Sequence, residues 1–215
     1  MPSILTETIS PVTTALTTLA KAKEELGITD TASDALITKL IDRASSVIAS
    51  YCDRVFGYAV LTELFRYAPI TGFARANWRT LRLSRWPLVS LTSVTDGDGL
   101  VSPTLYESET GPTYSFVHRI LNSERSFWTQ PPFTVVYTAG WKLPNDTSPD
   151  LPNDVEEVCL SMVRSAWYRR QGDPSVQIDL VEGVGRTTYF QRSLSGMDLD
   201  DGQMDILRPY VNQPI

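Results

Sequence analysis

The sequence predicts an α+β fold, a small helical bundle with an antiparallel β insertion. Apolar residues recur every three or four positions towards both ends of the chain, which is the period of an amphipathic helix. Between about residues 58 and 144 the period falls to two and prolines punctuate the chain, as strands joined by loops require. A packed core is expected, because 42% of the residues are hydrophobic and only 20% are charged.

The helical period predicts four helices, near residues 16–26, 33–53, 152–171 and 200–208. The first should stop at Gly27, and the second should start with Ser33 as its N-cap. The third begins at Pro152 and suits the helix dipole, with acidic residues in its first turn and arginines in its last. Its apolar stripe comprises Val155, Val158, Cys159, Met162, Val163, Ala166 and Trp167.

The β insertion is indicated by three local patterns. Residues 80–84 alternate, which places Leu81 and Leu83 on one face of a strand. Residues 90–95 run into Asp-Gly-Asp-Gly at positions 96–99, a hairpin turn signal, and residues 133–138 read as a further strand. Together these patterns predict a β insertion between helices.

The chain therefore divides into four predicted segments. Residues 1–57 carry the first two helices, and residues 58–144 form the antiparallel β insertion. Residues 145–197 hold the third helix and a β-like stretch kinked at glycines, and residues 198–215 form a C-terminal segment.

The acidic charge balance argues against a protein that grips nucleic acid by its phosphates. The net charge is −6 and the isoelectric point is near 4.8, whereas phosphate binding needs clustered Lys and Arg. An acidic wall can still surround DNA loosely and let it slide. The first residues do not read as a signal peptide, and no window reaches the roughly 20 apolar residues of a membrane helix. We therefore expect a chain made in a cytoplasm-like compartment, with no membrane contact.

One basic concentration keeps a nucleic-acid interpretation open. It comprises Arg66, Arg75, Arg79, Arg82 and Arg85, with Trp78 and Trp86 as base-stacking candidates. The favoured alternative is a solvated face of the β insertion or a contact to an acidic partner.

Motifs for catalysis, metals and cofactors fail on their geometry. The chain has a single histidine, His118, which removes most histidine-dependent nucleophile and zinc schemes. Gly183 and Gly185 lack the third glycine and the strand-to-helix context of a dinucleotide loop. Cys52 and Cys159 lie on apolar helix faces and read as buried free thiols. We expect no enzyme, no cofactor and no metal site.

The C-terminal segment is too apolar to be a free tail. A helix this short is marginal alone, and Pro209 prevents its extension. Either the chain's own bundle or another subunit must cover its apolar residues, which are Met204, Ile206, Leu207, Tyr210 and Val211.

The order of elements resembles the head-tail connector, or adaptor, family of long-tailed phages, prophages and gene transfer agents. The resemblance rests on a short helix ending at Gly27, a long helix closing with residues 51–56, and the stretch WPLVSLTSV at 86–94. It continues with VYTAGW at 136–141, LPNDV at 151–155, VEGVG at 181–185 and ILRPY at 206–210.

This resemblance implies a ring of about twelve copies beneath the portal, with double-stranded DNA passing through the lumen without sequence-specific binding. It implies a virion location at the head-tail joint, assembly in the host cytoplasm, and a second contact to the next neck protein. The implied portal-docking residues are Met204, Ile206, Leu207, Arg208, Pro209, Tyr210 and Val211. The implied inter-subunit or ring-lining residues are Glu182, Gly183, Val184, Gly185, Arg186 and Tyr189.

Two alternatives stay beside this interpretation. The first is a stopper or tail-terminator neck protein, a class dominated by β structure. The second is a nucleic-acid-binding module using the Arg66–Arg85 region.

Overall fold

The computed structural model describes residues 3–9, 13–66, 79–111, 113–170, 178–181, 185–188 and 197–212. The chain divides into two compact units. The β unit comprises Met1–Val12, Arg54–Trp141 and Asn212–Ile215, and the helical unit comprises Thr13–Asp53 and Lys142–Val211.

The helical unit contains four helices among the described residues. They are α1 (Leu19–Leu26), α2 (Asp34–Tyr51), α3 (Asn153–Arg169) and α4 (Asp201–Leu207), followed by a 3₁₀ turn at Arg208–Tyr210. The apolar stripes of α2 and α3 face the interior, where Ile37, Ile41, Ile48, Val155 and Met162 are buried. These four helices lie where the apolar period predicts them.

The helix ends follow local chemistry. The Thr18 hydroxyl accepts from the Lys21 amide at the start of α1, and Gly27 adopts the left-handed conformation that ends it. Ser33 is the N-cap residue of α2, as predicted, although its side chain makes no capping hydrogen bond. The Asp34 carboxylate in the first turn of α2 accepts from Lys23 Nζ on α1 at 2.7 Å, which links the two helices.

A buried carboxylate joins α1 to α3. Glu156 accepts from the Thr17 hydroxyl at 3.0 Å and from Lys21 Nζ at 2.8 Å, and it is only 8% exposed. The sequence assigned Glu156 only a role in the helix dipole, because its partners lie more than 130 positions away.

The β unit contains nine strands among the described residues, forming two antiparallel sheets. They are β1 (Ser3–Ile9), β2 (Ala59–Phe65), β3 (Thr80–Arg82), β4 (Leu88–Asp96), β5 (Gly99–Leu100), β6 (Tyr106–Thr110), β7 (Ser115–Leu121), β8 (Glu124–Ser126) and β9 (Phe133–Ala139). The five-stranded sheet has the order β1-β2-β9-β4-β5, and the second sheet has β3-β7-β6 with β8 paired to β7. The combination of helical bundle and antiparallel sheets confirms the α+β prediction.

Strand β1 was not predicted from the sequence. It pairs with β2, with Ser3 opposite Phe65 and Thr6 opposite Thr62. Its described side chains, residues 4–7, are all exposed, so it lacks the alternation of buried and exposed positions that marks a half-buried strand.

The core of the β unit surrounds a buried carboxylate. Glu63 is fully buried among apolar residues of both sheets, including Leu81, Val135 and Phe133. Its Oε2 accepts from the Tyr137 hydroxyl at 2.8 Å and from the Ser84 amide at 3.0 Å, and its Oε1 accepts from the Ser84 hydroxyl at 2.5 Å. A buried carboxylate is tolerable only with such partners.

A short antiparallel pair follows α3 in the chain. Strand β10 (Ile178–Val181) pairs with β11 (Gly185–Thr188), with Val181 opposite Gly185. The pair occupies the stretch for which the sequence predicts a β-like segment.

Candidate functional site: the C-terminal segment

The C-terminal segment is ordered by a complete helix start. Asp200 forms a capping box with Gln203, in which each side chain accepts from the other residue's backbone amide. The Gln203 amide group also donates to the Ser161 hydroxyl on α3 at 2.7 Å. These bonds fix α4 on the helical unit although the helix has only seven residues.

One side of the segment packs on the chain's own helices. Leu207 is fully buried. The Tyr51 hydroxyl donates to the Met204 carbonyl at 3.4 Å, and the Tyr210 hydroxyl lies 2.9 Å from both Asp154 carboxylate oxygens. The sequence left open what covers the apolar tail, and the structure shows that the helical unit covers Leu207.

The other side of the segment is exposed. Ile206 is 44% exposed, and Asp205, Arg208 and Pro209 are exposed beside it. Arg208 and Asp205 form an ion pair at 2.8 Å, one helical turn apart on the surface. We call Asp205, Ile206, Arg208 and Pro209 the outer face of the C-terminal segment.

Most of the predicted inter-subunit or ring-lining residues lie outside the residues that the structure describes. Glu182, Gly183, Val184 and Tyr189 lie outside the described residues. Gly185 and Arg186 belong to β11, where the backbone is described.

Two of the residues on which the nucleic-acid interpretation depends, Arg85 and Trp86, are buried. Arg85 is 7% exposed and pairs with Glu7. Trp86 is 2% exposed, and the Arg54 guanidinium lies 3.4 Å from its ring centroid. A base cannot stack on a ring that is already covered, so the prediction of Trp86 as a stacking platform is wrong. Arg75 and Trp78 lie outside the described residues, while Arg66 and Arg79 are exposed.

His118 has a structural environment. It lies on β7, where its Nδ1 is 3.2 Å from the Thr80 hydroxyl and its Nε2 is 3.1 Å from Glu109 Oε2. Partial desolvation acts to raise the pKa of Glu109, but the Arg125 guanidinium and His118 outweigh it and hold that pKa below its usual range. Both ring nitrogens of His118 thus have polar partners, Thr80 on β3 and Glu109 on β6.

The two cysteines are free and buried, as predicted. Burial raises the pKa of the Cys159 thiol to about 12, although the Ser45 hydroxyl acts against this shift. A thiol in this state has little thiolate for nucleophilic chemistry or metal binding.

In the part of the chain that the structure describes, His, Cys, Asp and Glu side chains form no group of three or more that could hold a metal ion. Within the same ranges, none of the helices has the length and apolar character needed to cross a bilayer.

Comparison with known families bears out the resemblance drawn from the sequence. Residues 16–70, which contain α1, α2 and β2, match the model of the phage gp6-like head-tail connector proteins. The resemblance to the head-tail connector family is thereby confirmed over these residues.

Solved structures with a similar fold extend over nearly the whole chain. One is a chain in the neck of an empty gene transfer agent (GTA) particle computed with C6 symmetry, with a TM-score of 0.58. Another is from the neck of a native GTA particle computed with C12 symmetry, with a TM-score of 0.57, and a third is from the virion of a native GTA particle, at 0.54. Each is 14% identical, and each match covers 99% of this chain and 97% of the other. A search of curated proteins finds no match.

Proposed function

We propose that the chain is the structural head-tail adaptor of a tailed phage or phage-like particle. It forms a ring beneath the portal, connects the capsid to the tail neck and lets DNA pass. The match of residues 16–70 to the phage head-tail connector model carries this proposal. The similarity in fold to neck chains of GTA particles supports it.

The partners follow from this position in the particle. They are the portal, the next neck protein and further copies of the chain, in a ring of twelve. The C12 and C6 symmetries of the similar neck structures support a ring. The net charge of −6 is compatible with a lumen through which DNA slides. The adaptor is assembled in the host cytoplasm and resides at the head-tail joint of the virion.

The outer face of the C-terminal segment is the proposed portal contact. Ile206 presents an apolar side chain to solvent on a helix whose opposite side is anchored by Leu207 and Tyr210. The portal-docking residues predicted from the sequence thus fall into two groups, those that anchor the segment and those that face outwards. Met204, Leu207 and Tyr210 hold the segment, while Ile206, Arg208 and Pro209 are free to contact a partner, with Val211 half-buried at its end. The ring-lining role of residues 182–186 and 189 remains part of the proposal.

The test is portal binding by a variant that changes only the outer face. Deleting residues 204–215 is unsuitable, because it removes the buried Leu207 and exposes apolar surface of the helical unit. Ile206→Asp should lower portal affinity by about tenfold or more, the loss of one buried apolar contact. The control is Tyr168→Asp on α3, where the parent side chain is 54% exposed. Equal portal affinity for Ile206→Asp and the parent chain would contradict the docking assignment.

A further inference from the structure

The five-stranded sheet has open edges on opposite sides. Strand β1 pairs only with β2 among the described strands. Strand β4 pairs with β9 along its length but with β5 only at Thr95 and Asp96, so residues 89–93 have no second ladder within the described ranges. Leu88 is not part of this open edge, because its amide donates to the hydroxyls of Thr110 and Ser115. An exposed edge presents unpaired backbone donors and acceptors, which favour pairing with another chain.

The two edges carry few of the charges that commonly protect an edge strand. Residues 88–94, LVSLTSV, contain no charged side chain, and Glu7 is the one charged residue of β1. Glu7 is engaged with Arg85. Apolar side chains are exposed on both strands, with Ile4 at 52% and Val89 at 53%.

The two edges are complementary in direction and length. Strand β1 is antiparallel to β2, β2 to β9, and β9 to β4, so β1 and β4 run in opposite directions. A second copy placed with its β1 beside β4 therefore continues the antiparallel alternation of the sheet. The seven residues of β1 are enough to cover the five open residues of β4, 89–93.

We propose that β1 of one copy pairs antiparallel with residues 89–93 of β4 in the next copy. This inference rests on the proposed ring and names its subunit interface. The contact joins two different surfaces of the same chain, which is the head-to-tail arrangement that a closed ring requires. Each copy in the ring uses both of its open edges, so none stays exposed. The register shifts in β4 near residues 89 and 92 restrict the ladder to a few hydrogen bonds.

Disulfide crosslinking tests this pairing directly. The double variant Thr6→Cys with Ser90→Cys places one thiol near the middle of each edge, and both native positions are exposed. Within one chain the two positions are separated by three strand spacings, about 14 Å. A disulfide needs Cα atoms within about 7 Å, so a disulfide between positions 6 and 90 must join two copies. The native cysteines are buried and do not compete.

Oxidised rings assembled on the portal should give covalent oligomers that disappear on reduction. The matched control is Thr6→Cys with Leu121→Cys, because Leu121 is 53% exposed, as Val89 is, but lies on the other sheet. We expect at least about tenfold less crosslinked product from the control. As a second measurement, Val89→Lys should reduce the fraction of chain in rings by about tenfold, and Leu121→Lys should not.

The failures of the two proposals are distinguishable. Rings of normal mass without crosslinks above the control, and unaffected by Val89→Lys, overturn the edge pairing and leave the adaptor proposal standing. Loss of binding to the next neck protein in Val89→Lys, without crosslinks between copies, also overturns it in favour of a different occupant. A parent chain that forms no ring with its portal overturns both proposals.

Discussion

The Tyr137 hydroxyl donates to Glu63 at 2.8 Å, and both residues are fully buried. Tyr137 lies on β9 and Glu63 on the adjacent β2, where each strand contributes one member of the bond. Ser84, which follows β3, supplies two further donors to the same carboxylate. Glu63 therefore ties both sheets of the β unit together at its core.

Removing this carboxylate should destabilise the β unit strongly. Glu63→Ala leaves the buried Tyr137 hydroxyl and the two Ser84 donors without this acceptor, and we expect the free energy of unfolding to fall by about 3 kcal/mol. Urea denaturation followed by tryptophan fluorescence measures the change. Glu124→Ala, on the exposed strand β8, is the control and should lie within about 0.5 kcal/mol of the parent chain. A similarly small effect for Glu63→Ala would contradict the role of the network.

Stability should also fall at high pH because of Tyr137. Burial, reinforced by the Glu63 carboxylate, raises the pKa of Tyr137 well above its ordinary value of 10.0. Above pH 10 the unfolded chain releases this proton while the folded chain keeps it, so the stabilisation present below pH 10 is progressively lost. Above pH 10, the free energy of unfolding of the parent chain should fall with pH more steeply than that of the Tyr137→Phe variant. The difference in slope should be about 1.4 kcal/mol per pH unit. Parallel slopes above pH 10 would show that the phenol is not held neutral.

Adjacent glutamates on α3 should behave differently. Glu156→Ala removes the acceptor of Thr17 and Lys21, and we expect a loss of about 2 kcal/mol with faster amide hydrogen exchange in α1. Glu157 is the matched control, because it is the next residue and is exposed. Equal protection of α1 in the two variants would refute the link between α1 and α3.

Gly140 should tolerate no side chain. Its φ is +105°, and an added Cβ would lie 2.4 Å from the Gly57 carbonyl oxygen. Gly140→Ala should lower the free energy of unfolding by about 3 kcal/mol or more. Part of this loss comes from backbone strain at the positive φ, and part from displacing the backbone at Gly57. Gly99 has a similar φ of +122° but open space around it, so Gly99→Ala measures the strain alone. Thermal unfolding of the two variants separates the contributions, and equal midpoints would rule out the close contact.

Cys159 should react slowly in the folded chain. With a pKa raised to about 12 from 9.0, its thiolate fraction at pH 8 is about a thousandfold lower than that of an ordinary thiol. Iodoacetamide labelling with peptide mapping should therefore modify Cys159 only after unfolding by urea. Rapid labelling of the native chain would contradict its burial.

Local periodicity was sufficient to predict the helices and the strands β3, β4 and β9. The stripe from Ile37 to Ile48 and the alternation of Leu81 and Leu83 depend on neighbours within a few residues. The sequence did not predict β1, because the four side chains described for it, residues 4–7, are all exposed. The strand is held by a ladder to residues more than 50 positions away. The buried positions of Glu63 and Glu156 were missed for the same reason, since each depends on partners distant in sequence.

The candidate site was predicted in part. The apolar residues at 204–211 indicated that the segment must be covered, and Leu207 is indeed buried. Which residues face inwards and which form the outer face depends on the seating of α4 against α3. The capping box between Asp200 and Gln203 is local, but the Gln203–Ser161 bond that seats α4 on α3 joins residues 42 positions apart and is not visible in the local pattern.

The most direct test of the account is to image and weigh the chain with and without the portal of its own particle. Electron micrographs and native mass spectra should show a closed ring of twelve copies bound to the portal end. Binding as isolated copies, or no binding to the portal, would contradict the adaptor function.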